Sequence, residues 1–136
     1  MELAPDAGVR VGVDIVRVDR LERLLSEHED APRRLFTAGE LEYCRGKRRA
    51  TEHLAARFAA KEAVLKALGT AMTQGARWTD VEVVNERSGR PKVVLHGEAA
   101  ARADRRGLRE IDLSLSHTDG LAVANVVSVW DRKAPS

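Results

Sequence analysis

From Val9 to Val16 the chain places Val9, Val11, Val13 and Ile15 at every second position, with Arg10, Gly12 and Asp14 between them. Strand side chains point alternately to two faces, so this period predicts a half-buried strand with Asp14 on the face opposite Val13 and Ile15. The spacing then lengthens. Leu21, Leu24 and Leu25 fall on one side of a helix predicted over Asp19 to Glu29, with Arg20 and Arg23 elsewhere. Thr37-Ala-Gly-Glu40 has the form of a capping box and starts a helix running to about Lys47. Thr51 to Leu68 reads as the strongest helix, with Gly69 as its stop. After that the period shortens again. Val81 to Asn85 and Pro91 to Leu95 flank the turn Glu86-Arg-Ser-Gly-Arg90, a hairpin. Gly97 to Arg106 is a short, alanine-rich helix. Ile111 to Ser116 alternates, and Leu121 to Val129 is apolar enough to predict burial on both faces. Strands and helices mix without strict βαβ order. The expected class is α+β, a mainly antiparallel sheet packed against the long helix.

The long helix carries an anomaly. On a wheel of about 100° per residue, Leu54, Phe58, Leu65 and Leu68 fall within about 80° and form the expected core stripe. Lys61 lies inside it. Either its stem packs while the ammonium reaches water, or it is a buried cation held by an anion. Glu62 sits at the stripe's border and Lys66 one turn beyond. The pair reads equally as a solvated i,i+4 ion pair or as part of a site. Ala55 and Ala59 share that side and keep it thin, so a ligand or another chain can approach. Asp14 has two readings as well, a strand-end cap or a metal ligand, and His117 is a turn residue or a functional one.

Composition narrows the classes. The 136 residues suffice for one domain with a core and fall short of two. Apolar residues are 43% and charged residues 32%, a globular balance that excludes a disordered tail. No apolar run approaches a membrane span, and no signal-peptide core is present at the start. Cys44 is the single cysteine, which excludes an internal disulfide and a zinc quartet and fits a reducing cytoplasm. The net charge of +2 suits anionic partners in general. Phosphate-loop, dinucleotide, HExxH, CxxC and esterase-elbow patterns are absent. The expected organisation is a lead-in over 1–8, one domain over 9–130 and a tail over 131–136.

The combination of segments is more specific than its parts. Gly12-x-Asp14, Phe36-Thr-Ala-Gly-Glu40-Leu, Phe58-Ala-Ala-Lys61-Glu62-Ala-x-x-Lys66-Ala, Ser88-Gly89-Arg-Pro91 and Leu113-Ser-Leu-Ser-His117-Thr follow in that order. Over roughly residues 9–129 this closely resembles the holo-acyl-carrier-protein synthase family, small 4′-phosphopantetheinyl transferases. The resemblance implies transfer of the phosphopantetheine arm of coenzyme A to a serine of apo acyl carrier protein, in fatty acid or polyketide biosynthesis. Adenosine 3′,5′-bisphosphate is the other product. It implies Mg²⁺ held by Asp14 and Glu62, with Lys66 near the pyrophosphate, Lys61 as a further catalytic position and His117 near the coenzyme. Arg49 and Arg57 would meet the adenosine end, and Gly89, Arg90 and Pro91 would line the coenzyme site. Arg20 and Arg23 on the first helix would dock the acidic carrier. The subunits would form a homotrimer with active sites between neighbours.

Two features depart from the family pattern. The N-terminus is longer than in the shortest members, and Thr118 stands where some relatives carry aspartate, with Asp119 next. Two other classes compete with the enzyme. A nucleic-acid module would use Lys47 to Arg49 and Arg105 to Arg109, but five aromatic residues supply few stacking surfaces. A non-catalytic trimeric domain of the same fold would have no need of Asp14, Glu62 and Lys66.

Overall fold

The computed structural model describes residues 7–69 and 73–131. Strand β1 (Ala7–Arg17) leads directly into helix α1 (Val18–Glu27). Helices α2 (Ala31–Leu35), α3 (Ala38–Arg45) and α4 (Ala50–Leu68) follow. A single 3₁₀ turn at Trp78–Asp80 precedes the hairpin β2 (Val81–Asn85) and β3 (Pro91–Leu95). Helix α5 (Gly97–Arg105) and strands β4 (Leu108–Thr118) and β5 (Leu121–Asp131) complete the chain. β1, β5 and β4 form one antiparallel sheet in that order, and β2 and β3 form a second. The α+β class is as expected. The expected lead-in contributes Ala7 and Gly8 to β1, while residues 1–6 and 132–136 lie outside the described residues.

Local chemistry explains the boundaries. The Thr37 hydroxyl accepts from the Glu40 N–H at 3.1 Å, and the Glu40 carboxylate accepts from the Thr37 N–H at 2.9 Å. Both arms of the capping box are therefore made, and two helix-end donors are satisfied. Gly69 ends α4 at φ 87°. The turn between β4 and β5 is Asp119-Gly120 at φ 47° and 78°, the pair of positive values a two-residue hairpin turn needs.

Two expectations about faces are corrected. The valine row of β1 is exposed: Val11 is 69% and Ile15 62% accessible. The opposite row, Gly12, Asp14 and Val16, faces α4. The reason is at Gly12, where a Cβ would lie 2.1 Å from the Ala63 carbonyl oxygen, so only glycine lets the helix settle. β5 is likewise buried on one face only. Ala122, Ala124, Val126, Ser128 and Trp130 lie under α4, while Leu121 and Val127 are exposed. On α4 the buried stripe is Ala55, Ala59, Ala60, Ala63, Val64, Ala67 and Leu68. Leu54, Phe58 and Leu65 pack only partly. Small side chains win the interior because they admit close approach of helix and sheet, and the larger ones fill its margins.

Candidate active site

The register of the sheet brings Asp14 opposite Ala124, in the row that faces α4. There Asp14 Oδ1 accepts from Lys66 Nζ at 2.8 Å, and the same ammonium donates to the Val13 carbonyl at 3.1 Å. Lys66 thus pairs across elements with Asp14 rather than along the helix with Glu62. The Lys66 amine is pushed above its ordinary value, first by the hydrogen bond to Asp14 and also by the Asp14 and Glu62 charges. Glu62 lies half-buried beside them. Burial first, and then the Asp14 charge, hold its carboxyl above the usual glutamate range, against the pull of Lys66 and Arg20. Asp14, Glu62 and Lys66, distant in sequence, therefore meet at one place, with Arg20 of α1 close enough to be felt.

A groove of about 480 Å³ opens between the end of β1, from Ile15 on, and α1. Arg20 and Arg23 line it, with Ile15, Leu24 and Phe58 as its apolar part. Both arginines are exposed.

His117 sits near the end of β4, and Arg49 at the start of α4. The His117 Nδ1 lies 3.3 Å from Glu52 Oε2, and Arg49 Nη1 lies 3.6 Å from Glu52 Oε1. His53 packs edge-on against His117. The β2–β3 turn forms a further group. Gly89 adopts φ 93°, its carbonyl accepts from Asn85 Nδ2 at 3.0 Å, and Arg90 is paired with Asp112 of β4. Pro91 opens β3. Asp119 is committed to the backbone turn beside exposed Thr118.

Two expected site residues lie inside the protein. Arg57 is 2% exposed; it donates to the His53 carbonyl at 3.2 Å and to Asn85 Oδ1, and its guanidinium covers the Tyr43 ring. Through Asn85 it braces the Gly89 turn from beneath. Lys61 is fully buried. Its Nζ lies 2.7 Å from Glu40 Oε1 and donates to the carbonyls of Trp78, at 3.1 Å, and Val81. Every donor is used internally, so the contacts that Lys61 makes here are structural ones. Of the two readings of Lys61, the buried cation is the observed one. Its partner, Glu40, also accepts from the Val83 N–H at 2.8 Å and so ties α3, α4 and β2 together. Sequence reading assigned Glu40 to the capping box alone and passed over Asn85, Glu52 and Asp112. A buried lysine demands a buried anion, and the capping-box carboxylate was the available signal.

Asp14 on β1 meets Lys66 on α4, with Glu62 near enough for its charge to be felt, and the family match supplies the class of protein to which this cluster belongs. Residues 10–124 match the 4′-phosphopantetheinyl transferase superfamily, and the chain belongs to it. The chain is similar to the holo-[acyl-carrier-protein] synthase of Geotalea daltonii, with 49% identity over 117 residues that cover 85% of this chain and 94% of the relative. The corresponding protein of Solibacter usitatus is 45% identical over 120 residues, 88% and 96% of the two chains. Among solved structures, the Chronobacterium ammoniagenes ACPS-CoA complex superposes with a TM-score of 0.80 at 31% identity, covering 92% of this chain and 99% of that one. The holo-[acyl-carrier-protein] synthase of Neisseria meningitidis gives 0.80 at 28%, covering 88% and 96%. No helix among the described residues is long and apolar enough to cross a membrane.

Proposed function

We infer that this chain is a holo-acyl-carrier-protein synthase. It transfers 4′-phosphopantetheine from coenzyme A to a serine of apo acyl carrier protein. The serine oxygen bonds to the β-phosphorus of the pyrophosphate, the bond from that phosphorus to the bridging oxygen breaks, and adenosine 3′,5′-bisphosphate departs. The serine proton is lost as the new bond forms. The observation that carries this reading is the meeting of Asp14, Glu62 and Lys66 beside an arginine-lined groove.

The residues fit a magnesium ion. Mg²⁺ takes one or two carboxylates and fills its other positions with phosphate and water oxygens. Asp14 and Glu62 are such a pair, and burial first, then the Asp14 charge, hold the Glu62 carboxyl above its ordinary value, a condition a cation would relieve. When bound, the ion neutralises charge on the pyrophosphate. Lys66 adds a point cation beside the same charge and holds Asp14 in place. His117 and Arg49 receive the coenzyme at the other end of α4, with Gly89, Arg90 and Pro91 lining its path. Arg57 orders that turn through Asn85. Arg20 and Arg23 attract the acidic carrier to the groove they line.

The active unit is a homotrimer. Support comes from the outer face of the main sheet, where Val9, Val11, Val13, Ile15, Leu121 and Val127 form an exposed apolar surface interrupted at Asn125. A surface of that kind on a small domain calls for a protein partner. A single buried cysteine suits the cytoplasm, where coenzyme A and the carriers of fatty acid synthesis reside. Incubation of several apo carriers with coenzyme A, with Mg²⁺ or with a chelator, followed by intact-mass measurement, tests the reading. A gain of one phosphopantetheine that requires the metal is expected. Absence of any gain across fatty-acid and polyketide carriers overturns it.

A further inference from the structure

Glu52 stands on the first turn of α4, in no motif that the sequence singles out. Its side chain is 24% exposed. Oε2 is shut off from solvent and, among the described residues, has no aligned hydrogen-bond donor. A buried carboxylate oxygen in that condition is costly unless a partner completes it. The group that faces it is His117 Nδ1, at 3.3 Å. Catalytic hydrogen bonds in ligand-free enzymes are commonly long and tighten with substrate. A second contact holds the same ring. His53, the next residue along α4, meets His117 with ring centroids 5.7 Å apart and planes at 67°. Burial first, then the Arg57 charge and His117, keep the His53 imidazole below its ordinary value. Arg49, through Glu52 Oε1, sets the carboxylate from the far side.

We propose that Glu52 is a positioning residue for phosphopantetheine transfer, its carboxylate accepting from Nδ1–H of His117 and so fixing the tautomer that offers Nε2 to the substrate. Which imidazole nitrogen works is set by the bond the other one makes. With Nδ1–H committed to Glu52, Nε2 carries the lone pair and can take a proton or, once protonated, donate to a phosphate oxygen. The inference rests on the reading of His117 as a coenzyme-side residue.

The test compares Glu52→Gln, Glu52→Ala, His117→Ala and the double Glu52→Ala/His117→Ala with the full-length enzyme. Turnover of apo carrier is measured, together with the ¹⁵N shifts of the His117 ring in coenzyme A-bound protein. Removing the partner that orients an imidazole costs about 10- to 100-fold elsewhere. A loss of that size in kcat is expected for Glu52→Ala, with a smaller loss for Glu52→Gln. The His117 ring should move from Nδ1-protonated toward Nε2-protonated in the alanine variant. The double variant should be no slower than His117→Ala, because both act through one ring. An unchanged tautomer, or losses that multiply, overturns the proposal. Full turnover in His117→Ala also overturns it, and a tautomer that still depends on Glu52 then places the error in the role of His117. Should Glu52→Ala fail to fold, the isosteric Glu52→Gln is read by the same two measurements, with the smaller kcat loss expected and full turnover with an unchanged tautomer overturning the proposal.

Discussion

Replacing Lys61 by methionine probes the innermost polar contact of the fold. Both Lys61 and Glu40 side chains are 0% exposed, with 2.7 Å between Nζ and Oε1. Methionine keeps the apolar stem and removes the charge and three donated contacts. Glu40 retains the backbone donors of Thr37 and Val83 but faces no cation. Removing one partner of a buried pair costs about 3–5 kcal/mol. The carbonyls of Trp78 and Val81 lose their donor as well, which places Lys61→Met toward the top of that range. Glu40→Gln should cost less. Lys61 then keeps both carbonyls, and burial already lowers its pKa toward the neutral amine. The double variant Lys61→Met/Glu40→Gln should fall short of the sum of the singles by about 1–3 kcal/mol, since each single strands the other's charge. Urea unfolding at one fixed protomer concentration measures all three, because assembly adds to apparent stability. A cost below about 1 kcal/mol for Lys61→Met, or strict additivity, refutes the account of Lys61 as the ion-paired brace of α3, α4 and β2.

Glu62→Gln should lower turnover roughly 10²- to 10³-fold, as when an electrostatic stabiliser of the reaction is lost. The same variant should raise Tm at neutral pH. A carboxyl held above its unfolded value of about 4.3 stabilises the fold below that pH and loses the contribution as pH rises through the folded value. The Tm gain should therefore vanish toward pH 4, and a gain independent of pH would contradict the shift. Charge reversal at Arg20 and Arg23 should raise the KM for carrier at low salt, with the effect fading as screening shortens to about 8 Å at physiological ionic strength. An unchanged KM removes the groove as the docking surface. Val11→Asp places a charge at the middle of the exposed apolar face, and light scattering should find monomers with little activity. An intact, active trimer would move the interface elsewhere.

Much of this fold was legible because its signals are local. The β2–β3 hairpin occupies the residues its alternation predicted, and the Thr37 capping box and the Asp119-Gly120 turn act as their chemistry requires. The inward face of β1 was read the wrong way round. Periodicity separates two faces but ranks valine as inward, whereas here Gly12 meets the helix and the valines face out. The error has the same origin on α4, where alanines took the interior from Leu54, Phe58 and Leu65. Asp14, Glu62 and Lys66 were expected together on the strength of the motif; Asp14 and Lys66 are in contact, with Glu62 near enough for its charge to be felt. The pairing role of Glu40, and Glu52 and Asn85 altogether, escaped notice because each acts on a residue 21 to 65 positions away, a pairing that only tertiary structure reveals.

Gly12 and the alanine layer of α4 have a consequence for the tolerance of this chain to change. The close seat of helix on strand is what lets Asp14, two residues beyond Gly12, reach the ammonium on α4. The separation of the acidic groups is thus gauged by a stack of methyls rather than by the groups themselves. A dense interior transmits the thickness of one added methylene to whatever rests on it. Enlarging Ala59 or Ala63, neither of which has a polar side chain, would shift the seat of α4 on β1 and with it the place where Asp14 and Lys66 meet. Freedom to vary is therefore least where the side chains are smallest, and a substitution screen ranked by chemical function would look past those positions.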